Sequence, residues 1–230
     1  MNKIHHIKLR PINWKAWISI IILVIVGVIY YYPALAARFV GDNDYWSNLF
    51  PIIHIRHAII DQHTIPLYTD LWYGGRAQWQ NPLWSFFYFP ATLIWLIVPL
   101  DWGARIVYGA HIIFSLIAGK KVSSLFLSSQ LGQIPAAIIL TAPILPALLA
   151  GHIEKVLAWG WVLLSIYFLL NEEKPLLFRG VTSGLCWGIV AITGANYYVL
   201  YAGLLLIPLV LSFKKTRLLY SFVGGSMIGL

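Results

Sequence analysis

The sequence predicts an all-α integral membrane protein, on three observations. Hydrophobic residues fill 60% of its 230 positions and charged ones only 10%, with a mean hydropathy of +0.76. That is more apolar surface than a soluble domain of this length could hide from water. The apolar residues fall in runs of about 17–20, enough for a helix rising about 1.5 Å per residue to cross a hydrocarbon layer of about 30 Å. The lysines and arginines sit in short clusters between these runs, as in cytoplasmic loops. The formal charge of +8 therefore points to no nucleic-acid partner.

The first span is predicted over residues 16–32, after a basic opening of Lys3, Lys8, Arg10 and Lys15. A secretory signal cleaved after Ala34-Leu35-Ala36 is the competing reading of this end. The stretch is long for such a signal, Tyr30-Tyr31-Tyr32 has the character of an interfacial belt, and further spans follow. An uncleaved helix with a cytoplasmic N-terminus is expected.

Residues 34–102 form a large first outer loop carrying Asp42, Asp44, Asp61 and Asp70, four of only eight carboxylates in the chain. Asn48 can cap a juxtamembrane helix over 48–62, with Pro51 in the tolerant first turn. On it His54, His57 and Asp61 are predicted to share one face and Ile52, Ile53, Ile59 and Ile60 the other, as in a helix lying on the membrane. The two histidines alone would need a third ligand to hold a metal. Residues 65–76 read as a loop with a Gly-Gly turn. Trp72, Tyr73 and Arg76 there suit a sugar face and a phosphate, or serve as interfacial anchors.

Residues 83–99 are apolar but contain Pro90 and end at Pro99, and Trp84, Phe86, Phe87, Tyr88, Phe89 and Trp95 suit the headgroup zone. The positive-inside rule decides their fate. If they do not cross, only Arg38, Arg56, Arg76, Arg105 and Lys155 of the 16 basic residues lie outside. If they cross, the majority is inverted. A second juxtamembrane or re-entrant element over 83–99 is expected.

Further spans are predicted at 103–119, 134–150, 156–170, 180–195 and 197–213, with an incomplete one at 218–230, all in a single transmembrane domain over 1–230. The short final stretch predicts a piece of a longer protein. Pro143 and Pro146 should kink the third span, and Gly180, Gly184 and Gly188 mark a close helix contact. Cys186 has no partner for a disulfide and reads as core packing. His111, buried near mid-span, is either functional or bonded to a neighbouring helix.

The order of one helix, Gly41-Asp42-Asn43-Asp44-Tyr45-Trp46, an amphipathic helix, a Pro-Leu-Tyr, Trp and Gly-Gly stretch, and Asn81-Pro82-Leu83 resembles the C-type membrane glycosyltransferases. The nearest resemblance is to bacterial and archaeal membrane proteins labelled 6-pyruvoyl-tetrahydropterin synthase-related and to YfhO-like proteins. It covers about residues 14–200, and its specific part is 41–83 and the second outer loop, Gly151-His152-Ile153-Glu154-Lys155. It implies transfer of a sugar from a polyprenyl-phosphate donor on the extracytoplasmic side of the cell membrane, in cell-envelope glycan or glycoconjugate synthesis. The implied acid is Asp44 or Asp42. His152 and Glu154 take the place of an acid pair that binds metal, and imidazole with carboxylate suits Mn or Zn more than Mg. Arg105 and Lys155 would face the leaving phosphate. A transporter or flippase of lipid-linked saccharides, and a noncatalytic envelope-assembly protein, are the alternatives.

Overall fold

The computed structural model describes residues 14–36, 50, 52–65, 68–69, 76–77, 85–195, 199–201, 203–204, 208, 211 and 216–229. The described chain is helical. In order come α1 (Trp14–Ala36), a π-helical turn (His57–Asp61), a ladder of β1 (Tyr68–Thr69) and β2 (Arg76–Ala77), α2 (Phe89–Ile97), α3 (Leu100–Ser124), α4 (Gln130–Thr141), α5 (Ile144–Leu149), α6 (Ile153–Leu170), α7 (Leu176–Ile192) and α8 (Thr216–Gly229). The antiparallel ladder pairs Tyr68 with Ala77 and Thr69 with Arg76, where a loop alone was expected.

Two helices are long and apolar enough to cross a bilayer, Trp102–Ser124 and Ile153–Leu170. Shorter apolar helices lie at Trp17–Tyr32, Gln130–Thr141, Leu176–Ile192 and Leu218–Gly229. The predicted span over 134–150 is two helices, because Pro143 and Pro146 lack the amide hydrogens that would continue one. Carbonyls freed at this break are covered from other helices. Tyr31 Oη donates to Thr141 O at 2.6 Å and Trp159 Nε1 to Leu140 O at 2.8 Å. The residues described within 197–213 are helical where assigned.

The buried core is mainly hydrophobic, but large apolar side chains are also exposed and several small polar ones are buried. On α1, Ile18, Ile21, Ile25 and Ile29 are each more than half exposed, while Ser19, Leu23 and Tyr31 face inward. Ser115, Thr141, Ser165, Ser183 and Thr193 are fully buried. Ser165 and Ser183 exchange hydroxyl-to-carbonyl bonds of 2.9 Å, tying α6 to α7. Between α7 and α8 the glycines do the work the sequence predicts. A Cβ built on Gly188 would lie 2.5 Å from Ser226 O, and one on Gly229 2.6 Å from Leu185 O, so only glycine lets these backbones meet. Arg179, buried, caps the end of α6 by donating from Nε and Nη2 to Leu169 O at 3.0 and 2.6 Å.

The 83–99 region contains only the nine-residue α2, and α2 and α3 form a hairpin against each other. Its turn at 85–88 packs where α3 carries His111, about 16 Å along that helix from Leu100 by helical rise. The non-helical backbone there is sealed by Thr92 Oγ1, which donates to Phe86 O at 2.8 Å and Ser85 O at 3.3 Å. At the other end Arg56 Nη1 donates to Trp95 O (2.6 Å) and Val98 O (2.8 Å), covering carbonyls that α2 leaves open. Arg56→Met is expected to lower stability by about 2 kcal/mol, as loss of a charged donor to buried carbonyls does. Thermal unfolding would register it, with Lys174→Met, an exposed position, as the reference.

Candidate functional site

A cleft of about 580 Å³ opens beside the helix break. Pro143, Pro146, Ala147 and Ala150 wall it, with His152, Lys155 and Tyr201 supplying its polar groups. The corner that carries these groups is set by backbone geometry. Gly151 adopts φ 75°, Gly151 N donates to Leu148 O at 3.1 Å, and His152 N donates to Ala147 O at 2.8 Å. This is a Schellman turn, in which glycine takes the left-handed position without a Cβ penalty. The chain reverses there and α6 begins at once, with His152 in its N-cap position.

Lys155 is half-buried and stands one turn into α6 from His152, so both reach the same cleft. Glu154 behaves differently. It is 4% exposed, and its Oε1 lies 3.4 Å from His152 Nδ1, so its carboxylate backs the imidazole rather than lining the cleft. The predicted His152–Glu154 pair thus exists, with its members facing different ways. It supplies two donor groups. Among the described residues no third His, Cys, Asp or Glu joins them in a metal-sized cluster.

The other predicted residues are distributed as follows. Arg105 does not line the cleft; its guanidinium sits 6.0 Å from the Trp102 ring, at the limit of a cation–π contact. Arg76 stands in β2. Asp42, Asp44, Trp72 and Tyr73 lie outside the described residues.

The first-loop helix needs a correction. Ile52, His54, Ile55 and Ala58 are buried, whereas Ile53, His57, Ile60 and Asp61 are exposed, so His54 does not share a face with His57. His57 Nδ1 pairs with Asp61 Oδ2 at 2.6 Å on the solvent side. Through Arg56 this helix is fixed to the α2–α3 corner. That corner lies at the same end of the bundle as His152, because α3 and α6 run in the same direction. Their far ends meet in a second cleft of about 490 Å³, lined by Ser124, Tyr167, Asn171, Glu172 and Glu173 among others.

No protein-family model, curated protein or solved structure matches the chain.

His111 resolves into a structural role with its tautomer assigned by its partners. Val107 O can only accept, so His111 Nδ1 carries the proton that bonds it at 2.7 Å. Nε2 is then the acceptor for Tyr88 Oη at 2.7 Å, and Tyr88 Oη accepts from Trp161 Nε1 at 2.9 Å. Burial pushes the Tyr88 hydroxyl above its ordinary pKa, which keeps it a donor. Three segments are thereby joined by one saturated polar chain. Sequence reading missed Tyr88, Arg56 and Tyr201. Only the rule that buried polar groups seek partners could have pointed to the first two.

Proposed function

We propose that this chain is a multi-pass membrane protein that transfers a sugar from a polyprenyl-phosphate donor to an acceptor on the extracytoplasmic face. The observation that carries the site is the pairing of His152 and Lys155 at the mouth of an apolar-walled cleft. A lipid phosphate requires both parts, a cation with hydrogen-bond donors for the head and apolar walls for the tail. The outward-facing isoleucines of α1 and the buried serines and threonines support the membrane placement, since in lipid the polar groups must find partners inside.

In this reading Lys155 meets the charge that develops on the leaving phosphate and His152 donates a hydrogen bond to it, oriented by Glu154 behind it. Asp44, from the loop that ends in the docked 52–61 helix, takes the proton of the attacking hydroxyl, with Asp42 beside it. Trp72, Tyr73 and Arg76 belong to the same loop and would contact the sugar. A divalent ion such as Mn, Mg or Zn, which the resemblance implies, would find only His152 on the cleft wall, because the Glu154 carboxylate stands behind the ring, and the roles above use none. Transfer is preferred to transport because two ionisable side chains buried within the helices, His111 and Arg179, are engaged in holding helices together, and a third, Glu154, backs His152 at the cleft.

The test is transfer from a polyprenyl-phosphate sugar in membranes bearing the protein. Asp44→Asn is expected to lower the rate by about 10²–10⁴-fold, the usual contribution of a positioned base. Lys155→Ala should lower it by about 10²-fold, as does loss of a group stabilising developing charge. Undiminished transfer by both variants at equal protein levels would exclude the assignment.

A further inference from the structure

We infer that residues 85–97 form an arm dipping into the outer leaflet of the bilayer, with the Phe89, Leu93 and Ile97 face of α2 covered by lipid acyl chains. The inference rests on the membrane placement above and is independent of the transferase reading.

The stretch 85–99 carries no charged side chain. Its hydroxyl-bearing residues, Ser85, Tyr88 and Thr92, are all buried, whereas Phe89, Leu93 and Ile97 recur every fourth residue along α2 and are between 53 and 78% exposed. A water-facing helix turns its polar side chains outward and leaves no such apolar strip in solvent, so this arrangement fits a surface in contact with hydrocarbon. Exposure of the same kind continues on α3, where Trp102 and Ile106 stand one turn apart.

The backbone points the same way, because every carbonyl of the turn at 85–88 has a donor from the protein. Ser85 O accepts from Tyr88 N and Thr92 Oγ1, Phe86 O from Thr92 Oγ1, Phe87 O from Phe89 N, and Tyr88 O from Ala91 N and Thr92 N. Arg56 covers Trp95 O and Val98 O at the other end. A turn in water needs no such cover, since solvent supplies donors; in lipid an open carbonyl finds none.

Depth follows from α3, which from Trp102 onward is long and apolar enough to cross a bilayer. The Arg105 guanidinium and the Trp102 ring, 6.0 Å apart, are the cationic and aromatic pair expected at a headgroup level. His111, which bonds Tyr88 at the foot of α2, lies about 9 Å further along α3 at about 1.5 Å per residue. From there α2 climbs back to the corner at Pro99, and with nine residues it is too short to cross.

The experiment places nitroxide labels on Phe89→Cys, Leu93→Cys and Ile97→Cys variants of the full chain in phosphatidylcholine nanodiscs. Electron paramagnetic resonance then reads collision with oxygen, which concentrates in lipid, and with a water-soluble nickel chelate. Ile29→Cys on α1 and Lys174→Cys are the lipid and water references, and the wild-type chain, whose Cys186 is buried, gives the background. The oxygen-to-nickel ratio should exceed that at Lys174 and rise in the order Ile97, Leu93, Phe89. The first and last should differ in depth by about 12 Å, eight residues at about 1.5 Å each.

A ratio as low as that at Lys174 would overturn the inference, since water would then cover the face. Weak collision with both reagents, as under a protein partner or a second copy, would overturn it too, as would equal ratios at the three positions, the mark of a helix lying flat. Failure of the membrane placement is distinguishable, because the label at Ile29 would then also meet the chelate. If a labelled variant does not fold, the wild-type chain decides. Phosphatidylcholine bearing a diazirine at its acyl end should crosslink within 87–97, and crosslinks to α1 with none in that stretch would overturn the inference.

Discussion

Replacing Gly225 by alanine is expected to cost about 3 kcal/mol or more, whereas the same change one residue earlier, at Gly224, costs nothing. A Cβ on Gly225 would enter the Val181 carbonyl, and one on Gly184 would enter that of Phe222. Both obstacles are main chain, so no rotamer change relieves them and the helices must separate. Gly224 has open space around its would-be Cβ, and alanine there even gains helix propensity, up to about 1 kcal/mol. Thermal unfolding of Gly184→Ala, Gly225→Ala and Gly224→Ala in one detergent would check this. Equal midpoints for the three would show that α7 and α8 are not held in this contact. The register is distinctive. Ser221, Gly225 and Gly229 recur every four residues on α8, opposite Gly180, Gly184 and Gly188 on α7.

The second large effect is expected at Tyr88. Its hydroxyl both accepts from Trp161 and donates to His111, so Tyr88→Phe orphans a buried donor and a buried acceptor together. The cost is about 2–4 kcal/mol, taking about 1–2 for each group left unsatisfied. His111→Leu alone should be similarly harmful, because it removes the acceptor of the Tyr88 hydroxyl. The two changes combined should cost clearly less than their sum, since the second removes a group the first has already stranded. Unfolding midpoints of the four proteins complete the cycle. Additive losses would mean that the bonds do not form one chain. The 85–97 arm should also become a preferred protease target in either single variant, because this chain is what fixes it along α3.

Much of the architecture was legible because helices in this protein are announced by length of apolar run and ended by proline or glycine. Pro143 and Pro146 foretold the broken third helix, Pro99 the corner before α3, and the glycines of α7 a close neighbour. The first-loop helix was misread for a physical reason. Ile55 and Ala58 extend the apolar arc of 52–60 round to the side of His54, so hydrophobic period alone could not choose which part of that arc is buried. The π turn at His57–Asp61, closed by Gln62 N bonding His57 O, further breaks the 3.6-residue repeat on which the prediction relied. The candidate site was half legible. Gly-His-x-Glu-Lys between two apolar runs marked a polar corner, but not that its carboxylate would turn inward. The Tyr88–His111–Trp161 chain was illegible, because its members are separated by 23 and 50 residues and only packing brings them together.

The interrupted helix at Thr141–Ile144 has a consequence for recognition. Its loose carbonyls are held by a tyrosine from α1 and a tryptophan from α6, so the gap is braced from both sides even when nothing occupies it. A guest arriving at the His152 corner therefore enters a vestibule already standing, and its affinity need not be spent on prising helices apart.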